Sequence, residues 1–258
     1  YRSKPNVIIT FNYELALVMV LLRPFLFFKC RIIARNINTL SKSFANSRKS
    51  FKNSFIRFLT LNLYSKVDHI VNQCEAMKVD LFNVFPDSKF ASSVIYNPVN
   101  KYIESSVDSD LMLSRRPEQY ILCVGRLSAQ KSFELAIKAF SVFVLTNPAF
   151  RLKIVGVGEL EHQLKETASV LGVSEKIDFE GFKTDIYSYY RNASFTLLTS
   201  LYEGFPNVLV ESIAVGTPIV AVDCPSGPSE IIIEGINGFL VKSRDVNDVS
   251  AAMVKAIT

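Results

Sequence analysis

Residues 200–221 read S-L-Y-E-G-F-P-N-V-L-V-E-S-I-A-V-G-T-P-I-V-A, and this stretch decides the fold class. The apolar run before it, 195–198, is typical of a buried parallel strand. The sequence then predicts a loop over 203–206, a helix over 208–215 with Asn207 as its N-cap, and a further strand. Strand, helix and strand in this order are typical of an open α/β sheet, which binds ligands at the carboxyl ends of its strands.

Two carboxylates fall at this predicted edge, Glu203 in the loop and Glu211 eight positions later in the helix. Carboxylates accept strong hydrogen bonds from neighbouring hydroxyls, and the amides at a helix start can meet phosphate oxygens. Gly204 lets the backbone approach a ligand closely. The pattern favours a sugar nucleotide as the ligand. The alternative is that Glu203 is a solvated loop acid and Glu211 a surface acid of the helix.

With its neighbours, the pattern E-G-F/L-x-x-x-x-x-E at 203–211 resembles the signature of glycosyltransferase family 4, the retaining enzymes of GT-B fold. The resemblance extends to V-G-R-L-S-A-Q-K-S at 124–132, to A-V-D-C-P-S-G-P-S-E-I-I at 221–232 and to E-G-I-N-G-F-L-V at 234–241. It covers residues 90–258 well and the earlier part loosely. It implies an α/β protein of GT-B type, with two Rossmann-like doubly wound parallel-sheet domains, the N-terminal one incomplete in this chain.

Strand and helix patterns alternate along the chain, which favours parallel sheets. A polar stretch that ends at Pro117 separates two series, so we expect domains at 1–100 and 101–258. By the resemblance, the first is a partial acceptor domain and the second binds the nucleotide-sugar donor. Strands are predicted at 7–10, 31–34, 69–71, 93–96, 120–124, 152–155, 176–179, 195–198, 219–222 and 239–241. Helices are predicted at 13–22, 50–65, 75–84, 133–145, 160–171, 186–191, 207–215 and 246–257.

Two cations follow the first strand of the second domain, Arg126 directly and Lys131 at a helix start. An arginine fork and a lysine point charge suit a diphosphate. The resemblance implies that both stabilise the leaving charge and that Glu203 contacts the transferred sugar, which makes these three the candidate catalytic residues. It also implies that Glu211 binds the ribose. The remaining candidates for donor binding are Gly125, Phe182, Gly204, Phe205, Pro206 and Asn207.

Several positions carry weaker signals. The loop at 156–159 resembles a G-x-G-x loop of the family, although G-x-G alone is usually a turn. Phe182 matches the segment that packs near the nucleobase in the family. The alternative is that Phe182 is a core residue. Ser132 stands where the family often has glycine. Asn36 is the candidate on the acceptor side, because many relatives have a histidine or polar residue after the corresponding strand.

The four cysteines form no C-x-x-C pair, and with two histidines the sequence indicates no metal cluster. We therefore expect that the glycosyl transfer needs neither a metal ion nor a cofactor. The unpaired cysteines also favour a reducing cytoplasm as the location of the protein. The expected reaction moves a hexose or N-acetylhexosamine from a nucleotide-diphosphate sugar, a UDP-sugar first, to a saccharide or lipid-linked acceptor of envelope polysaccharide, lipopolysaccharide or glycolipid. The alternatives are a sugar-nucleotide epimerase on the same fold and a fragment that binds the sugar nucleotide without turnover. A phosphorylase is disfavoured because no pyridoxal-phosphate lysine motif is found.

Charge is distributed unevenly. Between Glu14 and Asp68 there are ten basic residues and no acidic one. Aromatic residues recur there at helical spacing, among them Phe44, Phe51, Phe55 and Phe58, with Arg48, Lys49 and Lys52 between them. This segment predicts contact with an anionic membrane surface at the cytoplasmic face. The alternative is an ordinary helix with a phenylalanine-lined core face and a solvated basic face. No nucleic-acid-binding motif accompanies the charge, and the apolar run 15–22 is too short to span a bilayer.

Overall fold

The computed structural model of the chain describes residues 4–46, 50–110 and 118–258. It divides into two compact units. The N-terminal unit comprises Tyr1–Asn97 with the short segments Glu203–Phe205 and Pro225–Gly227, and the C-terminal unit holds the remaining residues from Pro98 to Thr258. Across the described residues, no helix combines the length and apolar character needed to cross a membrane.

In the described part of the N-terminal unit, four parallel strands pair in the order β1-β2-β3-β4. The strands are β1 (Val7–Thr10), β2 (Arg31–Arg35), β3 (His69–Asn72) and β4 (Ser92–Val94). The helices are α1 (Tyr13–Leu22), α2 (Leu40–Asn46), α3 (Phe51–Leu63) and α4 (Glu75–Val84). Asn12 begins α1 because its side-chain oxygen accepts hydrogen bonds from the amides of Glu14 and Leu15.

The core of this unit lies between the sheet and its helices. Ile32 and Ile70 of the central strands pack with Ala16 and Val20 of α1 and Leu81 of α4, all of them buried. These positions follow the strand and helix periodicities of the sequence, so the predicted strands and α1 lie where hydrophobic patterning placed them.

The C-terminal unit has, within its described residues, six parallel strands in the order β10-β9-β8-β5-β6-β7. They are β5 (Tyr120–Val124), β6 (Arg151–Val155), β7 (Ile177–Gly181), β8 (Phe195–Leu198), β9 (Ile219–Val222) and β10 (Gly238–Val241). The helices are α5 (Lys101–Asp110), α6 (Phe133–Thr146), α7 (Glu161–Val170), α8 (Tyr187–Asn192), α9 (Asn207–Ala214), α10 (Pro228–Ile231) and α11 (Val246–Lys255). The strand order reverses between β5 and β8, and ligands bind open α/β sheets at such a switch point.

Helices cover this sheet on both faces. Along β5, Ile121 and Cys123 point into a core with α6, α7 and α11, whereas Tyr120 and Leu122 point into a second core with α5 and α8. Because both faces are buried, β5 is a continuous apolar run rather than an alternating one. Burial raises the pKa of the Cys123 thiol.

The sequence did not predict α2, α5 or α10. Helix α5 lies in the stretch that composition marked as polar, and among its residues with described side chains only Ile103 is fully buried. Val107, one turn later, packs partly buried against the same core, but one such pair is too short a pattern to mark the helix. Phe44 lies on α2, which ends at Asn46, so the prediction that it shares a face with Phe51 is wrong. Arg48 and Lys49 lie outside the described residues.

Candidate functional site

Three strands of the C-terminal sheet end in tightly joined loops. Gly125, after β5, and Gly156, after β6, have φ values of +152° and +143°. The Gly125 amide donates to the Val155 carbonyl, and the Gly156 amide donates to the carbonyl of Gly181 at the end of β7. The carboxyl edge of β5, β6 and β7 is therefore held by backbone hydrogen bonds between successive loops.

The two glycines of the G-x-G pattern are required by close backbone packing. A Cβ on Gly156 would lie 1.9 Å from the Gly125 carbonyl oxygen, and a Cβ on Gly158 would lie 2.3 Å from that of Leu127. Real Cβ atoms do not approach backbone oxygens so closely. The pattern therefore marks the place where the loop after β6 lies directly against the loop after β5.

A cavity of about 450 Å³ opens at this edge. Charged side chains at its wall are Arg126, Lys183 and Glu211, and Phe182 adds an aromatic ring. The rest of its wall is formed by Val124, Gly125, Val155, Gly156, Val157 and Ile186. The structure thus brings together four of the residues that the sequence singled out: Gly125, Arg126, Phe182 and Glu211.

Arg126 is exposed, and in the described part of the chain no hydrogen bond or ion pair of its side chain is found. Lys131 lies along Gly125: its Cε is 3.1 Å from the position that a Cβ on Gly125 would occupy. Any larger residue at 125 would therefore press on the stem of Lys131. Both predicted cations are thus neighbours of Gly125, Arg126 along the chain and Lys131 through packing of its side-chain stem.

Lys131 is followed by a strained residue. Ser132, at the start of α6, adopts the left-handed conformation with φ +49° and ψ +44°. The Arg244 guanidinium donates to Ser132 Oγ at 2.9 Å and to the carbonyls of Thr199 and Ser200, and Thr199 Oγ1 donates to the Lys131 and Ser132 carbonyls. These bonds hold the backbone beside Lys131 in place where the family often has glycine.

Phe182 is 73% exposed, so the alternative that it is a core residue is wrong. Its neighbour Lys183 forms an ion pair with Glu180, with 3.2 Å between the ammonium nitrogen and a carboxylate oxygen. The hydrogen bond within this pair raises the pKa of Lys183. Sequence reasoning missed Lys183. Its signal was a cation next to Phe182, four positions after the predicted strand 176–179 of the same sheet.

Glu211 projects from α9 and accepts a hydrogen bond from the Tyr190 hydroxyl at 3.0 Å. Burial raises the pKa of the Glu211 carboxyl, and the bond from Tyr190 opposes that shift. Tyr190 is itself fully buried, so it fixes one oxygen of Glu211. Glu211 is thus partly buried and held in one orientation, so the alternative that it is a solvated surface acid is wrong.

Pro206 and Asn207 lie at the start of α9. Asn207 is exposed and is the first helical residue, and Pro206 occupies the N-cap, so the prediction of Asn207 as N-cap is wrong. The Pro206 carbonyl accepts from the Leu209 and Val210 amides. A proline fits this position because the amide it lacks would have no partner within the helix.

The other three predicted residues, Glu203, Gly204 and Phe205, belong to the N-terminal unit. Glu203 is buried rather than a solvated loop acid, and its carbonyl accepts from Thr39 Oγ1 at 2.8 Å. A Cβ on Gly204 would lie 2.3 Å from the Ile37 carbonyl oxygen, so the protein backbone makes a close approach there, and the donor-binding role of Gly204 stays a prediction. Phe205 packs against Tyr96 with ring centroids 5.1 Å apart.

Asn36 follows β2 in the N-terminal unit and is buried. Its Oδ1 accepts from the Tyr64 hydroxyl at 2.6 Å, and its Nδ2 donates to Asn72 Oδ1 at 3.0 Å. Asn72 in turn donates to Ser92 Oγ. A small cavity of about 80 Å³ borders Asn36. The side chain is thus part of an internal polar network, and its assignment to the acceptor side stays a prediction.

Among the described residues, no group of three or more His, Cys, Asp or Glu side chains could hold a metal ion. Both histidines have polar neighbours: His69 Nε2 lies 2.8 Å from Ser93 Oγ, and His162 Nδ1 lies 3.5 Å from Glu166.

Comparisons with known proteins show which family and fold the chain resembles. The model of the family described as "Glycosyl transferases group 1" matches residues 112–258, more than half of the chain. An uncharacterized glycosyltransferase of Haemophilus influenzae is 34% identical over 145 residues, 56% of this chain and 40% of that protein. A second relative is a 4-alpha-N-acetylgalactosaminyltransferase of Campylobacter jejuni whose name specifies a diphospho-undecaprenol-linked substrate. It is 29% identical over 220 residues, which are 85% of this chain and 58% of that protein. The chain thus spans about half the length of these relatives.

Solved structures show the same fold. Sucrose-phosphate synthase from Thermosynechococcus elongatus matches with a TM-score of 0.79 and 18% identity, over 97% of this chain and 64% of that one. Anabaena HepE in complex with UDP-glucose matches with a TM-score of 0.75 and 20% identity, over 98% of this chain and 69% of that one. The predicted fold class, a GT-B type with two parallel-sheet α/β domains, is confirmed.

Proposed function

We propose that this chain, which belongs to the family Glycosyl transferases group 1, carries the donor-binding part of a retaining glycosyltransferase. The reaction would move a hexose or N-acetylhexosamine from a nucleotide-diphosphate sugar to a saccharide or lipid-linked acceptor in envelope polysaccharide, lipopolysaccharide or glycolipid biosynthesis. The observation that carries this proposal is the cavity in the C-terminal unit, which Arg126, Lys183 and Glu211 line together.

The cavity suits a nucleoside. Its volume of about 450 Å³ lies within the range of small-molecule sites. Glu211 would accept hydrogen bonds from the two ribose hydroxyls, with one of its oxygens already oriented by Tyr190. The exposed Phe182 would pack on the base. We propose uracil as the base because HepE, of the same fold, is known in complex with UDP-glucose.

The diphosphate would lie at Gly125. Arg126 lines the cavity beside Gly125 and the stem of Lys131 packs along that glycine, so both cations would lie near the diphosphate. Fixed cations stabilise the charge that develops on a leaving diphosphate. The acceptor hydroxyl would attack the front face of the sugar as the diphosphate leaves, without a covalent protein intermediate. Glu203 would contact hydroxyls of the transferred sugar. We further propose that the positive side chains supply this stabilisation without a metal or cofactor.

The N-terminal unit would receive the acceptor, with Asn36 on that side. A lipid-linked acceptor is supported by the Campylobacter relative, whose name specifies a diphospho-undecaprenol-linked substrate. A basic segment free of acidic residues supports the same view, since anionic lipids attract such segments. We therefore place the protein in the cytoplasm and at the cytoplasmic face of the membrane.

The proposal is tested by incubating the chain with a panel of UDP-sugars and following both free UDP and the mass of the sugar products. The expected result is release of UDP from one donor, with Arg126→Ala losing most of the activity and the exposed-surface variant Lys165→Ala keeping it. A sugar nucleotide of unchanged mass but altered configuration would instead identify an epimerase. Calorimetric binding with no product would identify a binding protein without turnover.

A further inference from the structure

The outward side of α3 is apolar. Phe51, Phe55 and Phe58 are 89%, 52% and 60% exposed, and their spacing of four and three residues places them in one stripe of the helix. Thr60, on the opposite side, is fully buried and faces the unit. The alternative drawn from the sequence, a phenylalanine-lined core face, is therefore wrong: these three rings point away from the core.

Cations flank this stripe on both sides. At about 100° per residue, Lys52 lies on one side of the stripe and Arg57 on the other, and both are exposed. Arg57 also lies over the ring of Phe44, 5.5 Å from its centroid. Since the chain has no acidic residue between Glu14 and Asp68, no carboxylate of that segment offsets these charges.

Helix α1, which packs beside α3, adds further apolar exposure. Leu15, Val18 and Leu22 are exposed at a spacing of three and four residues, and Phe25 and Phe27 follow in the next turn and loop. Exposed apolar side chains in such number mark a contact surface rather than a solvated one.

We propose that α3 is an interfacial helix that docks the N-terminal unit on a bilayer containing anionic lipids. Phe51, Phe55 and Phe58 enter the boundary of the acyl chains, and Lys52 and Arg57 meet the lipid phosphates. A lipid surface is favoured over a protein partner because an aromatic stripe edged by cations matches the polarity and charge of a headgroup boundary. The inference rests on the proposed function in one respect: a lipid-linked acceptor would be presented at this surface.

The chain has no tryptophan, so Phe55→Trp introduces a single fluorophore on the stripe. With vesicles of phosphatidylglycerol and phosphatidylcholine, its emission should shift to the blue and be quenched by lipids brominated on their acyl chains. The control is Leu145→Trp, at an exposed position of α6 in the C-terminal unit, which should not be quenched. Phosphatidylcholine vesicles alone should give little effect with either variant.

Two sets of substitutions separate the apolar and the charged contributions in co-sedimentation. Replacing Phe51, Phe55 and Phe58 by Ser should weaken vesicle binding on the order of a hundredfold. Lys52→Glu with Arg57→Glu should weaken it at least about thirtyfold. The matched reversal in the C-terminal unit, Lys138→Glu with Lys165→Glu, should leave it unchanged. All the replaced side chains are exposed, and UDP calorimetry with circular dichroism checks that each variant is folded.

Three results would overturn the proposal. The first is equal binding to neutral and anionic vesicles, and the second is a triple serine variant that still sediments. The third is a blue shift in the emission of the Phe55→Trp variant that depends on protein concentration without lipid, which would identify α3 as a contact between copies of the chain. None of these measurements uses a donor sugar, so a failure of the proposed transferase activity would be seen separately.

Discussion

The carboxyl edges of the two sheets, each formed by parallel strands, differ in what occupies them. At the C-terminal sheet the edge of β5, β6 and β7 opens into a cavity of about 450 Å³ with Arg126 exposed at its wall. At the N-terminal sheet Asn36 is bonded to Tyr64 and Asn72 beside a cavity of about 80 Å³. The same architecture thus yields one edge that offers charge to a ligand and one whose polar groups bond to each other.

The difference arises from the residues that follow the strands. Glycines at 125, 156 and 158 allow two loops to lie directly against each other, which leaves space and charge outside them. After β2 comes an amide side chain that is buried, and a buried amide must find partners within the protein. The residues at the strand ends therefore determine whether the edge opens into a cavity with exposed charge or is filled by an internal polar network.

The largest effect is expected for Gly156→Ala. The new Cβ would meet the Gly125 carbonyl at 1.9 Å, at a residue whose φ is already +143°, so the two loops would have to separate. We expect a loss of more than about 3 kcal/mol in the free energy of unfolding, measured by urea denaturation, and loss of UDP binding. The control is Gly172→Ala, also at positive φ but with no atom within 4 Å, which should cost only about 1 kcal/mol.

The opposite edge is tested by Asn36→Ala. This change leaves the Tyr64 hydroxyl and the Asn72 amide oxygen buried with one partner fewer, and such groups cost about 1–3 kcal/mol. We expect a loss of about 2 kcal/mol in unfolding free energy with unchanged UDP affinity. Asn62→Ala, on the exposed side of α3, is the matched control. A fall in UDP affinity in folded Asn36→Ala would show that the two edges are not distinct in function.

Glu211→Gln should separate stability from binding. Because the folded-state pKa of Glu211 is raised by burial, its stabilising contribution is complete below the unfolded pKa and declines as pH rises through the folded pKa. The variant should therefore be more stable than the wild type at pH 7, with the gain disappearing in acid. UDP should bind about tenfold more weakly, because a charged acceptor is lost. Exposed Glu166→Gln should change neither property; a wild-type UDP affinity in Glu211→Gln would refute the ribose contact.

The smallest effect concerns Ser132. Glycine there removes the left-handed strain but also the bond from Arg244, whereas alanine keeps the strain and loses the bond. We expect Ser132→Gly to be more stable than Ser132→Ala by about 1 kcal/mol, measured by thermal denaturation. Equal stability of the two variants would mean that the backbone at 132 is not strained.

The sequence predicted most strands of the fold because each carries an apolar run or alternation that depends on burial. It also placed Arg126 and Glu211 correctly at the sheet edge, since motif spacing and strand ends fix such positions. It could not predict α5, where Ile103 and Val107 form only one apolar pair, nor the N-cap of α9, where proline competes with asparagine. Arg244 was missed because its partner Ser132 is 112 positions away and is brought to it by the fold. Lys183 was missed although it follows Phe182, a residue that the sequence singled out.

Local pattern was equally unable to decide which side of α3 faces inward. The helix is apolar on two sides, Ile56 and Leu63 on one and the exposed phenylalanines on the other. Only the packing of Thr60 and its neighbours against the unit reveals the orientation. The same limitation applied to Gly204, whose close neighbour, the Ile37 carbonyl, is 167 positions away in the chain.

The most direct test of the central claim, that the C-terminal cavity binds a nucleoside diphosphate, is a calorimetric titration of the wild type and Arg126→Ala with UDP and with UMP. We expect the wild type to bind UDP at a single site and Arg126→Ala to lose between about ten- and a hundredfold in UDP affinity. The affinity for UMP, which lacks the second phosphate, should fall much less in this variant. Equal losses for the two nucleotides, or no binding of UDP to the folded wild type, would contradict this claim.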